Sequence, residues 1–242
     1  MLQYYKDGVT HIGYTVPSFL PPWVNQTRRA GLFFIGNPRR EPYERGAKLY
    51  HVKDDEKPRV GRWWTTATTP PIAAKLADTK TKLRQAIWRA GTYYELSHER
   101  ASPVERLILL AIALESLFSP ADKGEFTFRI SLSAAQFVGR TPEERHQIFK
   151  GVKDLYGRRS ALFHGSYDLE KYNNGTFVTN AEIEIWASWI RRSLCGFLGL
   201  YLSGRTDRDS ILSDIAAAGF DPAVAEDLRN SSQIDRVLLG GA

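Results

Sequence analysis

The chain has 242 residues, 43% of them hydrophobic and 25% charged, with one Cys, one Met and a formal charge of +6. A chain of that size hides roughly 70–75% of the surface its unfolded form exposes, so a core needs neither disulfides nor metal, and one Cys excludes a disulfide framework or a Cys-based zinc cluster. No apolar run nears the roughly 20 residues that span a bilayer, and the start, Met1 to Tyr5 leading into Asp7 and Gly8, lacks a secretory pattern, so a cytoplasmic protein is expected.

The charge is unevenly placed. Residues 1–71 carry eleven Lys and Arg against six Asp and Glu, whereas residues 72–242 carry 22 against 21. A basic balance permits contact with nucleic-acid phosphates and equally fits a solvated basic surface. Eight of the twelve prolines also lie in the first 71 residues, which disfavours long helices there. Short apolar runs at Gly31 to Gly36 and Lys48 to Val52 predict strands between turns. Residues 1–71 therefore read as a small, irregular, β-containing N-terminal extension. Within it, Trp63-Trp64 with Arg59 and Arg62 could stack bases or seal a small core.

From residue 72 the spacing turns helical. A helix is expected over 72–98, with Leu76, Leu83, Ile87, Ala90 and Tyr94 near one face. Ser102-Pro103-Val104-Glu105 combines an N-cap, a first-turn proline and a capping glutamate, and opens a helix that is apolar all round from Leu107 to Leu114. A shorter helix follows over about Thr127 to Val138. Thr141-Pro142-Glu143-Glu144 and Thr179 with Glu182 repeat the start signal. The first opens a helix that stops at Gly165 and the second one that ends near Gly204. Short to moderate connections make this an antiparallel helical bundle over 72–204. Residues 205–242, richer in Asp and Glu than in Arg, read as an acidic helical appendage.

Phosphate-cradling glycine loops, nucleophile elbows and paired-Cys or His-Glu-x-x-His spacings are absent from the sequence. Four of the five histidines stand in unrelated contexts, which argues against a multi-His metal site. His164 differs, because it lies at the last turn of its predicted helix, with Ser160 four residues before it on the same face. Arg159 precedes it by five positions, about 140° around a regular helix, yet a histidine beside a terminal glycine can swing off the helix end. A helix C-terminus favours a protonated imidazole, suited to donate a proton.

Arg159-x4-His164, within Arg-Ser-Ala-Leu-Phe-His-Gly, together with Ala113-Leu114-Glu115-Ser116-Leu117-Phe118 on the preceding apolar helix and the Phe128-Arg129-Ile130-Ser131 helix start, resembles the HEPN superfamily, in particular its Apea-like branch. The resemblance covers about residues 80–203. It implies an all-α HEPN-like bundle and a metal-independent endoribonuclease of the toxin or phage-defence type, needing no cofactor. In that family the Arg and His of two protomers converge across a two-fold interface. His164 would serve as general base or acid for attack of the ribose 2′-hydroxyl on the adjacent phosphate, and Arg159 would bind that phosphate, leaving 2′,3′-cyclic phosphate and 5′-hydroxyl ends. Ser160 stands where active members often carry a larger polar residue. Glu115 reads as an orienting partner for an arginine, Arg158 as solvent-exposed or a phosphate contact. Arg159 could instead pair with Glu115 or Asp154 as a framework bridge. The alternative from a different class is a non-catalytic RNA-binding or dimerisation module that regulates a partner. Expected partners are RNA, a second copy of the chain, and a regulatory or antitoxin protein, with no membrane.

Overall fold

The structure, a computed structural model, describes residues 69–78, 80–119 and 125–233 and the isolated positions 58, 62, 65 and 66. The expected strands and the Trp63-Trp64 pair lie outside the described residues. The chain divides into two compact units, residues 1–79 with 235–242 and residues 80–234. In the first, α1 (Pro70–Ala77) begins on two prolines, which cost nothing at a first turn whose amides have no helical partner.

The helix expected over 72–98 is in fact two, α1 and α2 (Lys82–Glu99). Asp78 and Thr81 both turn to extended backbone, and the Thr81 hydroxyl accepts the Arg84 N–H at 3.1 Å. Short polar side chains that bond nearby backbone favour caps over helix interiors, and a cluster of them here splits the run.

The second unit is helical throughout its regular structure among the described residues: α2, α3 (Pro103–Phe118), α4 (Phe126–Val138), α5 (Pro142–His164), α6 (Leu169–Asn173), α7 (Asn180–Leu202), α8 (Arg208–Ala217) and α9 (Pro222–Ser232). The start signals act as their chemistry requires, with differences in detail. Ser102 takes the extended N-cap backbone without a side-chain hydrogen bond. Thr141 caps the Glu144 N–H, but the Glu144 carboxylate accepts from the Arg140 amide and from Arg192 instead of closing a reciprocal box. At α7 the box is complete: Thr179 accepts from the Glu182 amide at 3.3 Å and Glu182 accepts from the Thr179 amide at 2.9 Å. Thr179→Ala is expected to lower stability by about 1 kcal/mol. A urea unfolding midpoint equal to that of the wild type would show that this cap contributes nothing.

The apolar helix α3 lies at the centre and packs against α2, α4, α5 and α7. Its Leu107, Leu110, Ala111, Leu114, Leu117 and Phe118 are buried, as are Ile183, Ile190, Phe197 and Leu200 of α7. Phe118, Phe137 and Phe197 meet with ring centroids 4.8 to 6.0 Å apart, joining α3, α4 and α7. Close approach is enforced by glycines: a Cβ at Gly151 would collide with the Trp189 ring, and one at Gly196 with Phe137.

Residues 205–233 belong to this unit and contribute buried apolar side chains to it. Helix α8 lies on α4, and α9 lies on α7 and α8, burying Ile211, Ile215 and Leu228. Arg208 Nη2 donates to the carbonyls of Leu117 at 3.2 Å and Ser119 at 2.7 Å, satisfying the C-terminal end of α3. Arg205 holds Asp214 and Asp227. Three apolar positions thus outweigh an acidic composition.

On α2, Glu95 is only 3% exposed and neither carboxylate oxygen has a hydrogen-bond partner. Burial pushes its carboxyl up to about 10, with the charge of Glu99 one turn on adding to the effect. No helix among the described residues is long and apolar enough to cross a membrane.

Candidate functional site

Of the candidate residues, Arg158, Arg159, Ser160 and His164 lie on the last two turns of α5, and Glu115 lies on α3. Gly165, at φ 65°, closes the helix: its amide donates to the Leu162 carbonyl, and that of Ser166 to Ala161 at 2.9 Å. This pair of bonds is a Schellman closure, which only a residue at ease in the left-handed region ends cheaply. The closure keeps His164 in the helix as its last residue. His164 does not swing off the end, and Arg159 and His164 of one chain remain about 140° apart around the rod.

His164 and Ser160 are exposed and make no hydrogen bond, ion pair or ring contact among the described residues. Arg159 points the other way. Its Nη1 lies 3.1 Å from Glu115 Oε1 of α3, so of the two framework partners open to it, it takes Glu115. The contact is charge to charge without hydrogen-bond alignment, since Glu115 Oε1 and Arg159 Nε are both buried with no hydrogen-bond partner. The guanidinium sits between two rings, 5.3 Å from the Phe163 centroid and 5.9 Å from that of Tyr156. Tyr156 is buried and donates to the Ala111 carbonyl at 3.3 Å; Phe163 is 66% exposed.

Electrostatics follow from this packing. Partial burial raises the carboxyl of Glu115 above the usual range, and Arg159 pulls it back down. Burial lifts the Tyr156 phenol well above its ordinary value, reinforced by the charge of Glu115. With 30% side-chain exposure, the Arg159 guanidinium remains partly open to an incoming anion although it lies against Glu115.

Arg158, read from the sequence as solvent-exposed or a phosphate contact, is instead a framework pair. Its fork is bidentate to Glu182 at 2.6 and 3.0 Å, Nη1 also donates to the Phe177 carbonyl, and Nη2 lies 3.0 Å from Asp154. Its Cζ stands 5.6 Å from the Trp186 ring centroid. Against the pull of partial burial, bonds from Arg158 and Thr179 hold the Glu182 carboxyl below its usual value. Arg158 thereby ties α5 to the start of α7 and has its donors occupied.

The residues flanking Arg159 are the ones sequence reasoning missed. Tyr156 and Phe163 lie three before and four after it, the spacing at which helical side chains meet, and that spacing was the available signal. Among the described residues no group of three or more His, Cys, Asp or Glu is placed to hold a metal ion. Compared with models of known families, with characterised proteins and with solved structures, the chain finds no match in any of the three.

Proposed function

We propose that this chain is a metal-independent endoribonuclease of the HEPN type, built on a HEPN-like bundle and working as a dimer in the cytoplasm in a toxin or phage-defence role. The observation that carries the reading is the end of α5, where an imidazole and a hydroxyl stand exposed without partners among the described residues while an arginine on another face of the same helix, against Glu115, keeps 30% of its side chain exposed. One chain alone cannot aim Arg159 and His164 at the same phosphate, because the helix stays regular. A second copy meeting the first at this end, with the exposed Phe163 as an apolar contact, supplies His164 of one chain to Arg159 of the other. His164 then moves the proton of the 2′-hydroxyl or of the leaving 5′-oxygen, and Arg159 stabilises charge on the phosphate oxygens. RNA carries its own nucleophile, so no cofactor enters.

The pairing of Arg159 with Glu115 favours a second reading, an RNA-binding or dimerisation module without cleavage that regulates a partner or antitoxin-like protein, because a guanidinium already held is less free to follow charge as it develops. The test is incubation of the chain with single-stranded RNA in EDTA. Cleavage giving 2′,3′-cyclic phosphate and 5′-hydroxyl ends, by a species twice the 27.4 kDa chain mass in sedimentation, is the expected result. Binding without cleavage would leave the regulatory module, and a strict monomer at micromolar concentration would remove the composite site.

A further inference from the structure

One face of α5 is unlike the rest of the unit. His146, Lys150, Lys153, Gly157, Ser160 and His164 recur at steps of four and three, which places them in one stripe about 27 Å long. All six are exposed, and the side chains of His146, Lys150, Lys153, Ser160 and His164 make no hydrogen bond or ion pair among the described residues. The arginines near it are engaged elsewhere: on α5 Arg158 pairs with Glu182 and Asp154, Arg159 lies against Glu115 and Arg145 donates to the Gly139 carbonyl, while on α7 Arg192 pairs with Glu144. The nearest acidic side chain within the stripe's length, Asp154, is turned aside to Arg158; Glu143, in the first turn, is exposed beyond its N-terminal end.

Nothing among the described residues requires glycine at Gly157, in the middle of the stripe. A Cβ there would meet nothing within 4 Å, whereas at Gly151 on the same helix it would strike Trp189. A mid-helix glycine weakens a helix. Its presence on an open face leaves a notch where something from outside reaches the helix backbone. The exposed Lys150 and Lys153, two turns and one turn before it and without a carboxylate partner among the described residues, say what charge that visitor carries.

We propose that this face of α5 is a track for the phosphate backbone of single-stranded RNA, with Lys150 and Lys153 binding phosphates, Gly157 admitting the strand close to the helix, and the stripe delivering it to His164. The inference rests on the RNA-directed reading above. Because phosphate contacts carry no base information, it implies binding without sequence preference along α5. A second copy of the chain is the less fitting occupant of the Lys150 to Gly157 stretch, since a two-fold contact centred there would set Lys150 and Lys153 against their own image, whereas the dimer contact proposed above lies at the His164 end.

The experiment is fluorescence anisotropy with a labelled 2′-O-methyl RNA of about 16 nucleotides, which binds but offers no 2′-hydroxyl for cleavage. Lys150→Gln with Lys153→Gln is expected to weaken binding about tenfold and to reduce the steepness of log affinity against log salt by about 0.7 for each phosphate no longer neutralised. Gly157→Leu is expected to weaken binding severalfold while leaving the melting temperature unchanged or higher, opposite in sign to the effect of damage to the fold. Wild-type affinity in both variants would overturn the track, even if the chain cleaves RNA. Weakened binding in both, with no cleavage by the wild type, would keep the track and remove the nuclease. A dimer turned to monomer by Gly157→Leu with RNA affinity intact would make the face a subunit contact and overturn the proposal.

Discussion

His164→Ala is expected to lower RNA cleavage in EDTA by about 10²- to 10⁴-fold, the range lost when a positioned acid–base group is removed. The experiment is clean because of where the residue lies. His164 is exposed and engaged with nothing among the described residues, so its removal leaves the packing of α5 and the melting temperature as they were. Any fall in rate then belongs to chemistry. Arg159→Ala is a poorer probe, because it strands the half-buried carboxylate of Glu115 and removes a guanidinium packed between two rings. Glu115→Gln completes the set: it keeps the shape beside Arg159 and removes the competing charge, so a rise in cleavage would show that Glu115 restrains the arginine and a fall that it orients it. Equal rates for wild type and His164→Ala, with intact folds, would withdraw the catalytic assignment.

What could be read in advance divides along a physical line. Signals confined to a few residues were legible: the Thr141 and Thr179 caps, the closing Gly165, the apolar run that becomes α3. Each is a bond or a burial preference set by near neighbours. The break at Asp78 to Thr81 was hidden because Leu76 and Leu83 keep helical spacing across it, and periodicity does not see a cap competing with the helix. Helix α6 has five residues, too short for a period to register; it is fixed by the Asp168 cap and by the mutual contact of Tyr167, Tyr172 and Phe177. At the site, the sequence could place Arg158 and Arg159 on different faces but not choose their partners, since Glu182 and Glu115 arrive from α7 and α3. Those long-range carboxylates decide that Arg158 is framework and that Arg159, still 30% exposed, lies against α3. The same holds for residues 205–233, whose acidic composition is local but whose burial depends on α4 and α7.

Glu95→Gln is expected to make the full chain more stable than the wild type by about 3 kcal/mol at pH 7. The sign follows from proton counts. The buried carboxyl of Glu95 holds its proton up to about 10, whereas the unfolded chain releases it near the ordinary glutamate value of 4.5. Between those two values the unfolded state binds fewer protons than the folded one, so each unit of rising pH lowers stability by about 1.4 kcal/mol from this group alone. By pH 7 that amounts to about 3 kcal/mol, and it requires only that the folded value lie above neutrality. Glutamine has the shape of the protonated acid and nothing to release, so the variant is free of this dependence. Urea unfolding of both proteins at pH 5, 7 and 8.5 reads the difference directly: it should be small at pH 5 and widen steadily towards pH 8.5. A difference that stays constant with pH would mean that Glu95 ionises in the folded state much as it does in water, and that its burial is met by a charge partner instead of by a retained proton.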